Sequence, residues 1–223
     1  MGIKENLELY INKIPEHVKL VAVSKTKPVN DILAAYKYGQ KIFGENKVQE
    51  LTDKHSQLPD DIRWHFIGHL QSNKVKYIAP FVELIHSVDS LKLLKEINKQ
   101  ALRNNRTIGC LLQFHIATES SKFGLDYEEV CALLESEAYL QMKNICISGV
   151  MGMATFTNDK TKIREEFEQL KNIFTNLKQD FFKDSSGFKE ISMGMSDDYK
   201  IAIDEGSTLV RIGSGIFGSR NVL

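Results

Sequence analysis

Leu20-Val21-Ala22-Val23-Ser24-Lys25-Thr26-Lys27-Pro28 is the stretch from which the fold can be read. Leu20 to Ser24 is a short unbroken β-type run, the pattern of a strand covered on both faces in a parallel sheet. Proline lacks a backbone donor and restrains the residue before it, so the strand cannot continue past Lys27. Upstream, Asn6 to Ile14 carries Leu7, Leu9, Tyr10, Ile11 and Ile14 at helical spacing, and Pro15 ends that segment. Downstream, Asp31 to Tyr38 reads as a helix closed by Gly39.

The unit then repeats. Strand Lys41 to Gly44 leads to a helix from Val48 to Leu58, strand Trp64 to Ile67 to helix Lys74 to Ala79, and strand Glu83 to His86 to helix Leu91 to Arg103. Strand Gly109 to Ile116 leads to helix Tyr127 to Leu140, and strand Ile145 to Val150 to the long helix Lys162 to Phe182. Strand Glu190 to Met193, helix Tyr199 to Asp204 and strand Thr208 to Ile212 close the series. About eight strands separated by helices suit right-handed crossovers between parallel neighbours. The expected fold is therefore α/β, a single (β/α)8 TIM barrel with an extra N-terminal helix, occupying residues 1–223 as one domain. An open doubly wound sheet is the competing arrangement. No Ser- or Pro-rich tract marks a linker between two domains.

Composition narrows the function. With 29 basic and 29 acidic residues the formal net charge is zero, so the bulk attraction that draws proteins onto nucleic acid or anionic membrane is absent. Cys110, Cys131 and Cys146 are widely spaced in apolar surroundings, which reads as reduced core residues rather than half of a zinc site. The N-terminal residues carry no apolar signal run, and no stretch approaches the roughly 20 apolar residues of a membrane span. A cytoplasmic protein is expected.

In a barrel, reactive groups gather where strands run out into their following loops. Lys25 shares the parity of Val21 and Val23, which puts it toward the core side of the first strand. Desolvation there lowers an ammonium pKa and leaves a neutral amine able to form a Schiff base with an aldehyde. The alternative is a lysine just past the strand that snorkels to solvent. Gly194-Met195-Ser196 and Gly213-Ser214-Gly215 follow the last two strands, where barrels often hold phosphate on backbone N–H groups. A phosphorylated aldehyde needs both features on one face. Arg211, inside the apolar run Leu209 to Ile212, needs either a buried anion or a structural salt-bridge partner. His65-x-x-x-His69 converges on a metal only along a helix, and Gly68 at a strand end argues against one. No metal site is expected.

Five motifs in order carry a family resemblance. They are Ala22-Val23-Ser24-Lys25-Thr26-Lys27-Pro28, Phe43-Gly44-Glu45-Asn46 with Gln49-Glu50, Trp64-His65-Phe66-Ile67-Gly68 with Leu70-Gln71-Ser72-Asn73-Lys74, Ser192-Met193-Gly194-Met195-Ser196 with Asp198, and Val210-Arg211-Ile212-Gly213. Together they resemble the pyridoxal phosphate homeostasis protein family, whose barrel is similar to the N-terminal domain of alanine racemase. The resemblance implies that the cofactor pyridoxal 5'-phosphate (PLP) is held as a Schiff base on Lys25. It implies that Ser196, Gly213 and Ser214 hold the phosphate, that Arg211 faces the pyridine nitrogen, and that Asn46, His65 and Met151 line the cofactor. His115 departs from the asparagine usual in that family, so contacts after the fifth strand do not carry over.

The function expected from the resemblance is intracellular vitamin B6 homeostasis, as a monomeric PLP carrier or regulator that supplies PLP-dependent apo-enzymes. An arginine at the pyridine nitrogen cannot supply it with a proton readily, which weakens the ring as an electron sink. The racemases of this fold add a β-rich domain and a tyrosine that the sequence to Leu223 does not include, so a non-catalytic role is expected. A minimal PLP-dependent racemase or lyase is the alternative. A sugar-phosphate enzyme with an aldolase-type Schiff base at Lys25 is a third reading.

Overall fold

The computed structural model describes residues 2–117 and 124–218. Its strands are β1 (Lys19–Val23), β2 (Ile42–Glu45), β3 (Arg63–Phe66), β4 (Leu84–Val88), β5 (Ile108–Gln113), β6 (Ile145–Met151), β7 (Glu190–Ser192) and β8 (Leu209–Ile212). They form a closed barrel in sequence order, with every neighbouring pair parallel and β8 paired back onto β1. The open-sheet alternative is thereby excluded. Around the barrel run α1 (Ile3–Ile11), α2 (Val29–Lys37), α3 (Val48–His55), α4 (Val75–Ile78), α5 (Leu91–Arg103), α6 (Tyr127–Glu135), α7 (Glu137–Leu140), α8 (Lys160–Asp180), α9 (Tyr199–Asp204) and α10 (Ser214–Phe217).

Two apolar layers result from strands covered on both faces. Ala22, Phe43, Phe66, Ile85 and Val210 point outward and pack under the helices with Phe167 and Leu170 of α8. Val21, Ile42, Leu84, Leu111, Met151 and Leu209 fill the barrel interior. Burying one such side chain contributes about 1.5–3 kcal/mol, so the two layers together dominate the stability of the fold. Paired residues of a parallel ladder point the same way. Val21 pairs with Arg211, and Met151 with Ser192, so an arginine and a serine also face the interior.

Element boundaries differ from the sequence expectation for local reasons. The N-terminal helix is Ile3–Ile11 rather than 6–14, because the Glu5 carboxylate accepts the Gly2 N–H at 2.7 Å and closes its first turn early. The segment read as one helix from Tyr127 to Leu140 breaks at Ser136, whose extended backbone lets its hydroxyl accept from Tyr139 N at 3.3 Å and start α7. The long helix begins two residues before Lys162, since Asp159 caps the N–H groups of Thr161 and Lys162. No helix among the described residues is long and apolar enough to cross a membrane.

Candidate functional site

A cavity of about 520 Å³ opens at the C-terminal ends of the strands. Lys25 follows β1 into it, Asn46 follows β2, Met195 and Ser196 follow β7, and Arg211, Gly213 and Ser214 come from β8 and its turn. The segment from Met153 to Asn158 after β6 forms another wall. The volume suits a cofactor-sized ligand.

Lys25 sits in a tight turn in which Lys27 N donates to Ser24 O at 3.0 Å. The two lysines of the motif have different employment. Lys27 Nζ donates to the carbonyls of Phe217 and Gly218 at 2.9 and 3.1 Å and so ties β1 to the end of α10. Ser24 is wholly buried beneath the turn.

The turns after β7 and β8 converge. Ser196 Oγ lies 3.2 Å from Ser214 Oγ and accepts the Gly215 N–H at 3.4 Å. Ser214 and Gly215 open the short helix α10, and their amides have no intrahelical acceptors. Gly194 makes the approach possible. It has φ +91°, and a Cβ there would stand 2.5 Å from the Ala202 Cβ. Gly194→Ala is expected to destabilise the protein by about 2 kcal/mol, from left-handed strain plus the clash with α9. Urea unfolding measures this, and an unchanged midpoint would mean that the turn tolerates another backbone path.

Acidic groups share this region. Asp198 Oδ1 accepts the Met195 N–H at 2.5 Å, and burial pushes its carboxyl above the usual carboxylate range. An anion held here is therefore bound by aimed N–H and O–H donors more than by net positive charge.

Arg211 is buried, and burial draws its pKa down to about 10. Its Nη1 donates to Ser192 Oγ at 2.6 Å and its Nη2 to the Gly152 carbonyl at 3.1 Å, and it enters no ion pair among the described residues. The structural salt bridge considered from sequence is thus not what holds it. Behind it a polar file runs through the barrel: Ser192 Oγ lies 2.9 Å from His86 Nδ1, and His86 Nε2 lies 3.0 Å from His65 Nδ1. Burial holds His65 at about 3 and His86 well below its ordinary value, so both rings are neutral near pH 7. Arginine only donates, which frees the Ser192 proton for His86 Nδ1. The His86 Nε2–H then donates to His65.

Two residues expected to line the cofactor lie deeper than the cavity wall. His65 does not line the mouth cavity; it sits lower in the barrel and borders a smaller recess at the opposite end, beside Lys19, Arg63 and Glu83. Met151 likewise packs in the interior layer, and Met153 and Met195 are the methionines on the cavity wall. Both point into the barrel below the mouth, His65 from β3 and Met151 from the end of β6, where inward side chains fill an interior layer. His115, whose N–H donates to Leu125 O at 3.3 Å, is not on the cavity wall either. His69 pairs with Asp89 at 3.2 Å, a different partner from that of His65, and the two do not converge on a common point.

The residues present fit PLP. Asn46 Oδ1 is buried at the cavity without a hydrogen-bond partner among the described residues, which is the signature of a polar atom awaiting a ligand. Lys25 and the paired serine turns, an amine and a set of hydroxyl and amide donors, lie on the same cavity.

Sequence and structure comparisons give the family. Residues 2–221 match the family described as alanine racemase, N-terminal domain. Proteins named pyridoxal phosphate homeostasis protein from Haemophilus influenzae and Aquifex aeolicus are 37% and 38% identical, covering 99% and 91% of this chain and 97% and 87% of their own. The solved structure of PipY from Synechococcus elongatus with PLP bound superimposes with a TM-score of 0.86 at 33% identity, covering 97% of this chain and 100% of that one. Alanine racemase from E. faecalis superimposes with a TM-score of 0.74 at 16% identity, covering 98% of this chain and 58% of the racemase, which is a likeness of fold alone. Near-full-length identity to the homeostasis proteins, on a barrel whose strand ends gather the five motifs around one cavity, means that this chain belongs to the pyridoxal phosphate homeostasis protein family, with the alanine racemase N-terminal domain fold.

Proposed function

We propose that this protein binds PLP covalently at Lys25 and acts in PLP homeostasis as a carrier or regulator, with PLP-dependent apo-enzymes as its recipients. The observation that carries the reading is the meeting of Lys25, the Ser196–Ser214 cradle and Arg211 on one cavity. The names of its relatives and the PLP-bound state of PipY support it.

When bound, PLP supplies an aldehyde that condenses with a lysine amine and a ring that can accept electrons from an attached amino acid. Lys25 would supply the amine for that condensation, in which water is released. Ser196, Ser214 and the amides of Gly213 and Ser214 would hold the phosphate. Asn46 offers its unpartnered oxygen to a donor on the cofactor. Arg211 faces the pyridine nitrogen with a guanidinium that is kept charged and aligned by Ser192 and Gly152. A donor of such high pKa leaves that nitrogen unprotonated, which disfavours carbanion chemistry and suits storage over turnover.

Borohydride reduction of the PLP-loaded protein, followed by peptide mapping, tests the reading. The pyridoxyl adduct is expected on Lys25. Its appearance on Lys27, or the absence of any adduct, would overturn the assignment.

A further inference from the structure

A buried ionic cluster lies directly under the Lys25 turn and takes no part in the cofactor contacts described above. Lys54, in the last turn of α3, is only 5% exposed. Its Nζ donates to Glu45 Oε1 at 2.7 Å, to Glu50 Oε1 at 2.6 Å and to the backbone carbonyl of Ser24 at 2.7 Å. Glu45, wholly buried, also accepts from the Ser24 hydroxyl at 2.6 Å. Glu50 Oε1 accepts the Thr26 N–H at 2.5 Å. The cluster therefore grips the chain on both sides of Lys25, at the carbonyl before it and the amide after it.

The grip answers a local strain. Ser24 to Lys27 is a hydrogen-bonded turn whose third residue, Thr26, has φ +64°. That position in such a turn ordinarily takes glycine or asparagine, and a β-branched residue there is held in place by its surroundings. A relaxed Thr26 would swing the plane of the preceding peptide and with it the direction of the Lys25 side chain. Burying one ammonium between two carboxylates is also costly, and burial pushes Glu45 upward against the pull of Lys54. An apolar contact could pack this corner of the barrel more simply; only the ionic cluster supplies a donor for Ser24 O and an acceptor for Thr26 N together.

We propose that Lys54, bridging Glu45 and Glu50, is a positioning residue that fixes the turn presenting Lys25 to the cavity. The proposal rests on Lys25 being the point of PLP attachment. Pyridoxamine 5'-phosphate separates positioning from general packing, because it carries an amine where PLP has the aldehyde and reports on the cavity without the covalent bond. Dissociation constants for both ligands are to be measured on wild type, Lys54→Met, Glu50→Ala and Glu50→Gln. For Lys54→Met and Glu50→Ala, PLP affinity is expected to fall at least about tenfold while that of pyridoxamine 5'-phosphate stays within about twofold. Glu50→Gln, which keeps an oxygen for the Thr26 N–H, is expected to stay close to wild type. An equal fall for both ligands would make the cluster a packing element, and unchanged PLP binding would remove it from the site; either result overturns the proposal. Should Lys54→Met fail to fold, the partly exposed Glu50 pair decides alone. Borohydride mapping of the wild type is the separate control: an adduct away from Lys25 defeats the functional reading itself, before any variant is compared.

Discussion

Lys25→Ala is expected to fold as the wild type does and to lose the Schiff-base absorption of the PLP-loaded protein completely. Lys25 stands in the turn after β1, beyond the packed interior layer, so removing its side chain opens no cavity in the core. Noncovalent binding through the phosphate turns should survive at reduced affinity. Lys27→Ala is the instructive control, since Lys27 has the same strand parity but spends its amine on the Phe217 and Gly218 carbonyls. It is expected to keep the absorption and to lose about 1 kcal/mol of stability, the value of hydrogen bonds lost at a partly exposed site. A Lys25→Ala protein that kept the band, with Lys27→Ala losing it, would reassign the attachment point. Absorbance titration with PLP and a thermal melt of each variant supply both readings.

The two lysines also show what the sequence could and could not reveal. Parity and the position of Pro28 put Lys25 and Lys27 near a strand end, but the partner that occupies Lys27 lies about 190 residues away in sequence, on a contact that no local pattern encodes. The alternation of apolar runs and helices reads as a parallel α/β sheet, which fits a barrel or an open doubly wound sheet, and the pairing of β8 with β1 decides for the barrel. The resemblance implies that His65 and Met151 line the cofactor, and the fold buries both in the barrel interior, below the wall of the mouth cavity. The file from Arg211 to His65 has one signal in the sequence, His86 within the otherwise apolar start of the run Leu84-Ile85-His86, whereas its partner Ser192 is 106 residues away. Lys54 gave no signal. At i,i+4 from Glu50 it looks like an ordinary surface pair, and only the fold, by laying the end of α3 under the β1 turn, turns it into a buried ion.

PLP is expected to bind about a hundredfold more tightly than 5-deoxypyridoxal, which presents the same aldehyde and ring without the phosphate. The cradle offers the hydroxyls of Ser196 and Ser214, already 3.2 Å apart, and the amides that open α10, of which that of Gly215 donates to Ser196 Oγ. A hydrogen bond to a charged group is worth about 1.5–3 kcal/mol net, so even two that survive desolvation give roughly 3 kcal/mol, which is about a hundredfold in affinity. Deoxypyridoxal is a cleaner comparator than pyridoxal, whose hydroxymethyl group closes onto the aldehyde and hides the reactive carbon. The carboxylates of Asp197 and Asp198 on the same cavity sharpen the test. They oppose a phosphate dianion over distance, so the gain must come from donors in contact, and Ser196→Ala should cost PLP about tenfold while leaving deoxypyridoxal unchanged. Affinities followed by Schiff-base absorbance give both comparisons. Equal binding of the two aldehydes would return the turns after β7 and β8 to ordinary loops and leave Lys25 and the ring contacts to account for all of the affinity.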